Sequence, residues 1–505
     1  MRNPRPMGTC VRIGSGVIDR PTWRRRSARR WVDACSSGGT AWLDAPTVPN
    51  QHFEIRDAVH NFVHLDEEER RVLDSKPFQR LRHIHQLALS SLVYPGASHR
   101  RFEHSIGVAE IAGQIYDTVT RQDKLTDEVR DVVPTTALHN TVSRSLLRLA
   151  ALCHDVGHLP FSHAAEDELL PDGYDHERMT HEIVRSDEMR AVWRSMAHKP
   201  DPDEIAKLAL GPRKVEKLGL DLSFSTWEAI LAEMLVGDSF GADRIDYLLR
   251  DSLHLGVAYG HFDHHRLIQT LRILPAATEE RDGQPEKARR EPQLGIERGG
   301  LEAAESLWLA RYFMFSQVYF HHSRLIYDQH LKDFLAAWLP NGQFPTDVQG
   351  HLALTDAEIT AAMRSVASDP GAPGHDPARR ILERDHFRVV YQRRPEDGSF
   401  DVDAIYRATQ DHFGAEKVRY GGSPKRGDAD FPVLDRDGSS VPALSLSPVL
   451  AELPVSRNEY VFAAPDLRDE VERWIGNERE RILEQALAAE TAEEQIDMAE
   501  KGTNG

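Results

Sequence analysis

Between Leu149 and His163 the chain reads LAALCHDVGHLPFSH, an apolar run that ends in three histidines and an aspartate. An imidazole beside a carboxylate is costly to bury unless something uses both. A divalent cation does so. The apolar pattern puts His154 and Asp155 on a helix, where neighbours diverge by roughly 100° and can still converge on one ion between them. His158 lies one turn beyond on the same side, Pro160 ends the regular helix, and His163 follows in the loop. His104 in HRRFEHSIGVAEIAG and Asp243 in GADRIDYLLRDSLHLG supply two further ligands from other helices. Two imidazoles and two carboxylates suit a six-coordinate first-row metal with positions left for water and a phosphate oxygen. Thiolate zinc is disfavoured, because only Cys153 is nearby.

Each signal has a plainer counterpart. A lone His104 would more often be a satisfied core or surface histidine. His158 and His163 are either catalysts or supports of the ligands, and His176 with Glu177 is either part of the site or a surface ion pair. Arg311 serves either a substrate or an interface between subunits. Cys153 is most simply a small core residue. Asp243, Tyr247 and Asp251 fall at i, i+4 and i+8, one helical stripe.

Charge narrows the partners. The 505 residues carry a net charge of −18, which disfavours nonspecific binding to nucleic acid or a lipid surface. Residues 1–50 go the other way, with nine arginines against three acids. They lack sustained periodicity and read as a disordered or non-core basic extension; an Arg-rich, acid-poor start also fits a transit peptide. The three cysteines form no CxxC pair, no apolar run reaches membrane-spanning length, and residues 1–35 lack a signal-peptide pattern, so the expected location is cytoplasmic.

The expected fold is mainly α. FEIRDAVHNFVHL reads as strands around a turn, and helical periodicity dominates residues 100–270, with Ile106, Ala109, Ile111 and Ile115 on one helix and Leu146, Leu149, Ala150 and Cys153 on another. Residues 276–300 read as a charged loop or hairpin, and 301–338 as one long helix. The domain expectation is a helical, metal-binding core over 51–340, a linker or helical insertion over 341–384, and a small mixed α/β lobe with an acidic helix over 385–505.

Five motifs occur in a telling order: DSKPFQRLRHIHQL, YPGASHRRFEHSIGV, HDVGHLPFSH, DHE at 175–177, and DRIDYLLRDSLHLGV. In this order the chain resembles the HD-domain dNTP triphosphohydrolases over about residues 52–335. The resemblance implies a helical HD core and a divalent metal (Mn, Mg, Fe, Ni or Zn) on His104, His154, Asp155 and Asp243. It places His158, His163, His176 and Glu177 at the scissile phosphate. It implies phosphate contacts from Arg101, Arg244 and Arg311, whose planar forks suit phosphate oxygens. Gln86 and Asp251 would hold the sugar hydroxyl, with Tyr247 and Tyr319 at the sugar. The implied reaction is attack of activated water at the α-phosphorus, giving nucleoside and tripolyphosphate. The leaving 5′-oxygen would take its proton from His163, or from His158 as second candidate. Other activities of the superfamily remain open: cleavage of cyclic or monophosphate nucleotides, a nuclease, or a sensor without turnover.

The resemblance also implies a homo-oligomer, dimer or tetramer, activated by a guanine nucleotide held by Asp74, Gln79 and Arg82. The competing reading of that segment is an amphipathic helix capped by Asp74. Several positions depart from the vertebrate members: Arg244 and His322 stand where they have lysines, and Phe315 where they have a histidine.

Overall fold

The structure is a computed structural model that describes residues 53–502, apart from 135, 276–291, 395–396, 398–401, 426–429 and 455. The basic extension expected over residues 1–50 lies outside the described residues, as does most of the 276–300 segment.

An antiparallel hairpin comes first, Phe53–Asp57 against Asn61–Leu65. Asn61 supplies the left-handed φ of 64° that its turn requires. Val63 and Leu65 alternate inward and are fully buried.

The helical body is built around Arg101–Val119 and Ala137–Cys153, which pack on each other and on Pro202–Leu210, Thr226–Val236 and Ala242–Leu255. Ile106, Ala109, Ile111 and Ile115 are buried, as are Leu149, Ala150 and Cys153. Leu146 is only partly buried at the edge of the same core.

The helix carrying the HD motif stops earlier than periodicity implies. It ends at Cys153, with His154 as its C-cap, rather than continuing to Pro160. The cause lies in the helix His176–Val184. The Thr180 hydroxyl donates to the His154 carbonyl and accepts from the Gly157 N–H, both at 3.1 Å. Gly157 packs so closely there that a Cβ would lie 2.1 Å from the His176 carbonyl oxygen. The histidines and aspartate therefore line a tight turn held by a neighbouring helix.

The expected helix over 301–338 is also broken. Leu301–Met314 runs into a π-helical turn, Phe315–Tyr319, and a new helix starts at His322–Trp338. The Phe320 N–H bonds to the Phe315 carbonyl, five residues back, and His321 caps the next helix by accepting from the Ser323 N–H. Such turns often sit at functional sites.

Three helices follow, Val348–Ala353, Asp356–Ala367 and His375–Leu382. Ile359, Met363, Ala378 and Ile381 form a second apolar cluster with Leu331, Phe334 and Leu335 of His322–Trp338. The C-terminal lobe is mixed: an antiparallel sheet of Arg388–Gln392, Ser456–Ala463 and Val418–Lys425, covered by the helices Asp403–Phe413 and Arg468–Gly502. The stretch 432–442 leaves that lobe. Pro432–Leu434 pairs in parallel with Gln293–Glu297, itself antiparallel to Leu271–Leu274, so Phe431 and Val433 belong to the core of the helical body. Among the described residues no helix is long and apolar enough to cross a membrane.

Candidate metal centre and substrate cleft

His104, His154 and Asp243 offer ligand atoms that all lie within 4.8 Å of one another. His104 comes from the first turn of Arg101–Val119, His154 from the end of Ala137–Cys153, and Asp243 from the first turn of Ala242–Leu255. Asp155 joins them, with Oδ2 3.7 Å from His104 Nε2 and Oδ1 3.3 Å from His154 Nε2. Asp243 Oδ1 is 3.0 Å from His104 Nε2 and 3.6 Å from His154 Nε2. His104, His154 and Asp155 are buried, whereas the Asp243 side chain is 35% exposed and forms the open side.

These residues suit a divalent cation on three counts. The His154 Nδ1–H is committed to the Ala151 carbonyl at 2.8 Å, and its buried Nε2 has no hydrogen-bond partner. That tautomer leaves an Nε2 lone pair directed at the cluster. His104 Nδ1 is similarly tied to Asp246 Oδ2 at 2.8 Å, which turns its Nε2 toward Asp243. Finally, the Asp155 and Asp243 carboxyls are held in their charged form. Burial works against ionisation of Asp155, but Arg101, His154 and His158 hold its carboxyl well below the usual carboxylate range. Burial likewise opposes charge on His104, yet hydrogen bonds to Asp243 and Asp246 raise it to about 10.

The shell behind His104 was not legible in the sequence. Asp246, fully buried, takes His60 Nε2 at 2.6 Å and the Arg250 guanidinium at 2.8 Å. Arg250 also reaches Asp57 at 2.8 Å. The first hairpin is thereby tied to the ligand cluster.

A second cluster adjoins the first. His158 Nε2 lies 3.2 Å from Asp155 Oδ1, and its ring stacks on His176 with centroids 3.8 Å apart. Glu166 takes both the backbone N–H of His176 at 2.6 Å and its Nδ1 at 2.5 Å. Glu177 is farther from that nitrogen, at 3.1 Å, and is drawn to Lys214 at 2.7 Å. Glu166, which sequence reasoning missed, is thus the closer carboxylate partner of His176. Burial, Arg101 and His176 push the His158 imidazole well below its ordinary value. Burial also opposes charge on His176, but Glu166 and Glu177 raise it on balance. The stack therefore pairs a neutral ring with one that favours a proton. His163 falls in the 3-10 turn Ser162–Ala165, and its side chain lies outside the described residues.

The remaining candidates divide. Arg101 is spent inside the cluster: Nη1 bonds Asp155 at 2.5 Å and Nε bonds Ser162 Oγ at 2.9 Å. Arg244 and Arg311 keep buried N–H groups without partners, Nε and Nη1 on Arg244 and Nε on Arg311. Burial lowers Arg311, and the neighbouring Arg244 charge adds to it. Tyr319 donates to Asp251 Oδ2 at 2.7 Å, and His99 Nε2 meets the other oxygen at 2.8 Å. The Tyr247 ring stands edge-on to Tyr319 at 6.2 Å. Gln86 contributes a buried Oε1 with no partner.

Asp74, Gln79 and Arg82 bond locally. Asp74 pairs with Arg70 at 3.3 Å, and Gln79 Nε2 donates to the Leu73 carbonyl at 2.7 Å. Arg82 donates to Gln79 Oε1 at 2.9 Å and lies over the Phe102 ring. The N-cap expected of Asp74 is provided by Ser75, whose Oγ accepts from the Phe78 N–H; Asp74 ends the preceding helix.

Residues 101–230 match the HD domain, and residues 262–413 match the HD-associated region. An uncharacterized protein of Methanocaldococcus jannaschii is 34% identical over 285 residues, covering 55% of this chain and 48% of that protein. The deoxynucleoside triphosphate triphosphohydrolase SAMHD1 of Homo sapiens is 31% identical over 241 residues, covering 43% of this chain and 36% of that enzyme. The chain thus spans about half the length of the first relative and about a third of the second. The crystal structure of a hypothetical protein from Aquifex aeolicus superposes with a TM-score of 0.67 at 29% identity, over 84% of this chain and 99% of that one. With the ligand order H…HD…D folded into one helical cluster and followed by an HD-associated region, this chain belongs to the HD-domain phosphohydrolases.

Proposed function

We propose that the protein hydrolyses nucleoside triphosphates, preferentially deoxynucleoside triphosphates, to nucleoside and tripolyphosphate. The observation that carries this reading is the pairing of the His104, His154, Asp155 and Asp243 cluster with two partly buried guanidiniums, Arg244 and Arg311, whose buried N–H groups have no partner. Buried guanidinium N–H groups without partners call for an anion to meet them. A divalent cation held by the four ligands would supply water of lowered pKa and offset charge on a phosphate oxygen.

In this reading, Arg244 and Arg311 bind the polyphosphate. Tyr247, Tyr319, Asp251 and Gln86 receive the sugar, with the Asp251 carboxylate already held by His99 and Tyr319. The proton for the leaving 5′-oxygen comes from the 158–163 segment, with His163 first and His158 second. The His176–Glu166 pair stands behind His158 as a local proton reservoir. The likeness to the human enzyme named for this reaction favours it over monophosphate or cyclic substrates. The net charge of −18 argues against a nuclease.

The test is a nucleotide panel with Mn²⁺, followed by product identification. Tripolyphosphate with free nucleoside is the expected outcome. Orthophosphate with a nucleoside diphosphate would place attack at the wrong phosphorus. The same reading includes a homo-oligomer activated by a guanine nucleotide at Asp74, Gln79 and Arg82. Rate and molecular mass with and without GTP test it, and no change in either removes that part.

A further inference from the structure

Phe161 and Ser162 are consecutive non-glycine residues with left-handed backbone, each at φ 56°. A single such residue is uncommon, and two in a row persist only where the surroundings over-determine them. They lie between His158 and His163, so whatever holds them also sets the histidine-bearing turn.

One holding group comes from the HD-associated region and the others from residues 80–85. Asp356, the first residue of the helix Asp356–Ala367, is 3% exposed. Its Oδ1 accepts from the Phe161 N–H at 2.7 Å. Its Oδ2 accepts from the His85 backbone N–H at 2.8 Å and meets His85 Nδ1 at 2.5 Å. The His85 ring lies parallel to Phe161, and Ser162 Oγ donates to the His85 carbonyl at 2.8 Å. A second grip is made by Arg80, which is also buried. Its Nη1 donates to the His158 carbonyl at 2.8 Å and its Nε to the Leu354 carbonyl at 3.0 Å. One guanidinium therefore bridges the histidine turn to the backbone two residues before Asp356.

We infer that Asp356 and Arg80 are positioning residues that clamp the 158–162 turn, so that the HD-associated region fixes where His158 stands against Asp155. Neither side chain hydrogen-bonds His104, His154, Asp155 or Asp243. A buried carboxylate costs free energy unless its hydrogen bonds are fully used, and Asp356 spends both oxygens on this one turn and its support. Without it, the Phe161 N–H loses its acceptor and the left-handed pair loses one of the contacts that hold it. The metal ligands, set by other helices, would stay in place.

The effect on turnover rests on the phosphohydrolase reading, so the test has one arm that does not. Hydrogen exchange of the full chain would be followed for Asp356→Ala and Asp356→Asn. Exchange in the 156–166 segment is expected to rise by about tenfold or more in Asp356→Ala, while the 243–251 segment and Mn²⁺ affinity stay within about twofold of wild type. In the kinetic arm, kcat falls by about 100-fold with KM changed less than about threefold, the cost of a catalytic group displaced by roughly 1 Å. Asp356→Asn keeps the volume and one acceptor for Phe161, and is expected to recover part of both readouts. It decides the matter if the alanine form does not fold. Wild-type exchange and kcat in the folded variant would overturn the inference, as would loss of Mn²⁺ binding in step with kcat. If the wild-type protein turns over no triphosphate, the functional reading fails alone and the exchange arm still decides the clamp.

Discussion

His104 Nδ1 and Asp246 Oδ2 lie 2.8 Å apart, both fully buried, and this contact fixes which nitrogen of His104 faces Asp155 and Asp243. Asp246 is in turn held by His60 and by Arg250, which also grips Asp57. A carboxylate behind a ligating imidazole sets its tautomer and raises its basicity. Asp246→Asn keeps the shape but weakens that bond. Mn²⁺ affinity measured by calorimetry is expected to fall about 10–100-fold. Removing Asp246 altogether is a poorer test, because it leaves the buried Arg250 with Asp57 alone and destabilises the protein by up to about 3–5 kcal/mol. Unchanged Mn²⁺ affinity in a folded Asp246→Asn protein would show that Asp246 does not tune the ligand.

Metal removal should register in stability as well as activity. A cation that binds only the folded chain stabilises it by about 2.7 kcal/mol when present at 100 times its Kd. Chelator-treated protein should therefore melt lower, and Mn²⁺ should restore the melting temperature in a concentration-dependent way. Asp243→Ala should remove both the restored stability and the turnover. Asp243 is the better position to truncate, since its side chain is 35% exposed whereas Asp155 is buried against Arg101. A melting temperature indifferent to Mn²⁺ in the wild-type protein would count against a metal centre there.

Arg244 and Arg311 provide a metal-independent check on the substrate. Their buried, unpartnered N–H groups should be met by inorganic tripolyphosphate, which is predicted to raise the melting temperature where chloride at equal ionic strength does not. A hydrogen bond to a charged group contributes about 1.5–3 kcal/mol, so Arg311→Ala should lower kcat/KM by roughly 10–150-fold. It should also abolish the response to tripolyphosphate. If the alanine variant keeps the wild-type response, Arg311 faces something other than the polyphosphate.

The fold class was legible because apolar periodicity over residues 100–270 is strong, and the HD residues stood out because they interrupt it. What could not be read was which polar residues turn inward from loops and helix backs. Glu166 sits in the run Glu166-Asp167-Glu168, where nothing marks the one that meets His176. Asp246 and Arg250 flank the Asp243, Tyr247 and Asp251 stripe, each three residues beyond one of its members, and nothing in the pattern marks them as buried. Their burial makes sense only once Asp57 and His60 arrive from the first hairpin. The break at Phe315–Tyr319 was invisible for a different reason. Inserting a π turn shifts the helix face locally without changing the residue types around it, and here it brings Tyr319 to Asp251.

Glu233 offers a pH-dependent prediction away from the cleft. It sits on the helix Thr226–Val236 and accepts from the Leu294 N–H at 3.0 Å. Burial raises its carboxyl from 4.5 to about 7, with Asp238 adding to the shift and the Leu294 N–H and Arg213 opposing it. Between those two values the folded chain keeps a proton that the unfolded chain has released. Stability therefore falls as pH rises through that window: the contribution is fully present below about 4.5 and lost above about 7. At about 1.36 kcal/mol per pKa unit, the loss from pH ~5.5 to pH ~8 is about 1–2 kcal/mol. Glu233→Gln can still accept from Leu294 and carries no charge at any pH. In denaturant melts it should match wild type near pH 5 and exceed it by about 1–2 kcal/mol at pH 8. Parallel stability profiles for the two proteins across that range would mean that Glu233 titrates as an ordinary exposed carboxylate.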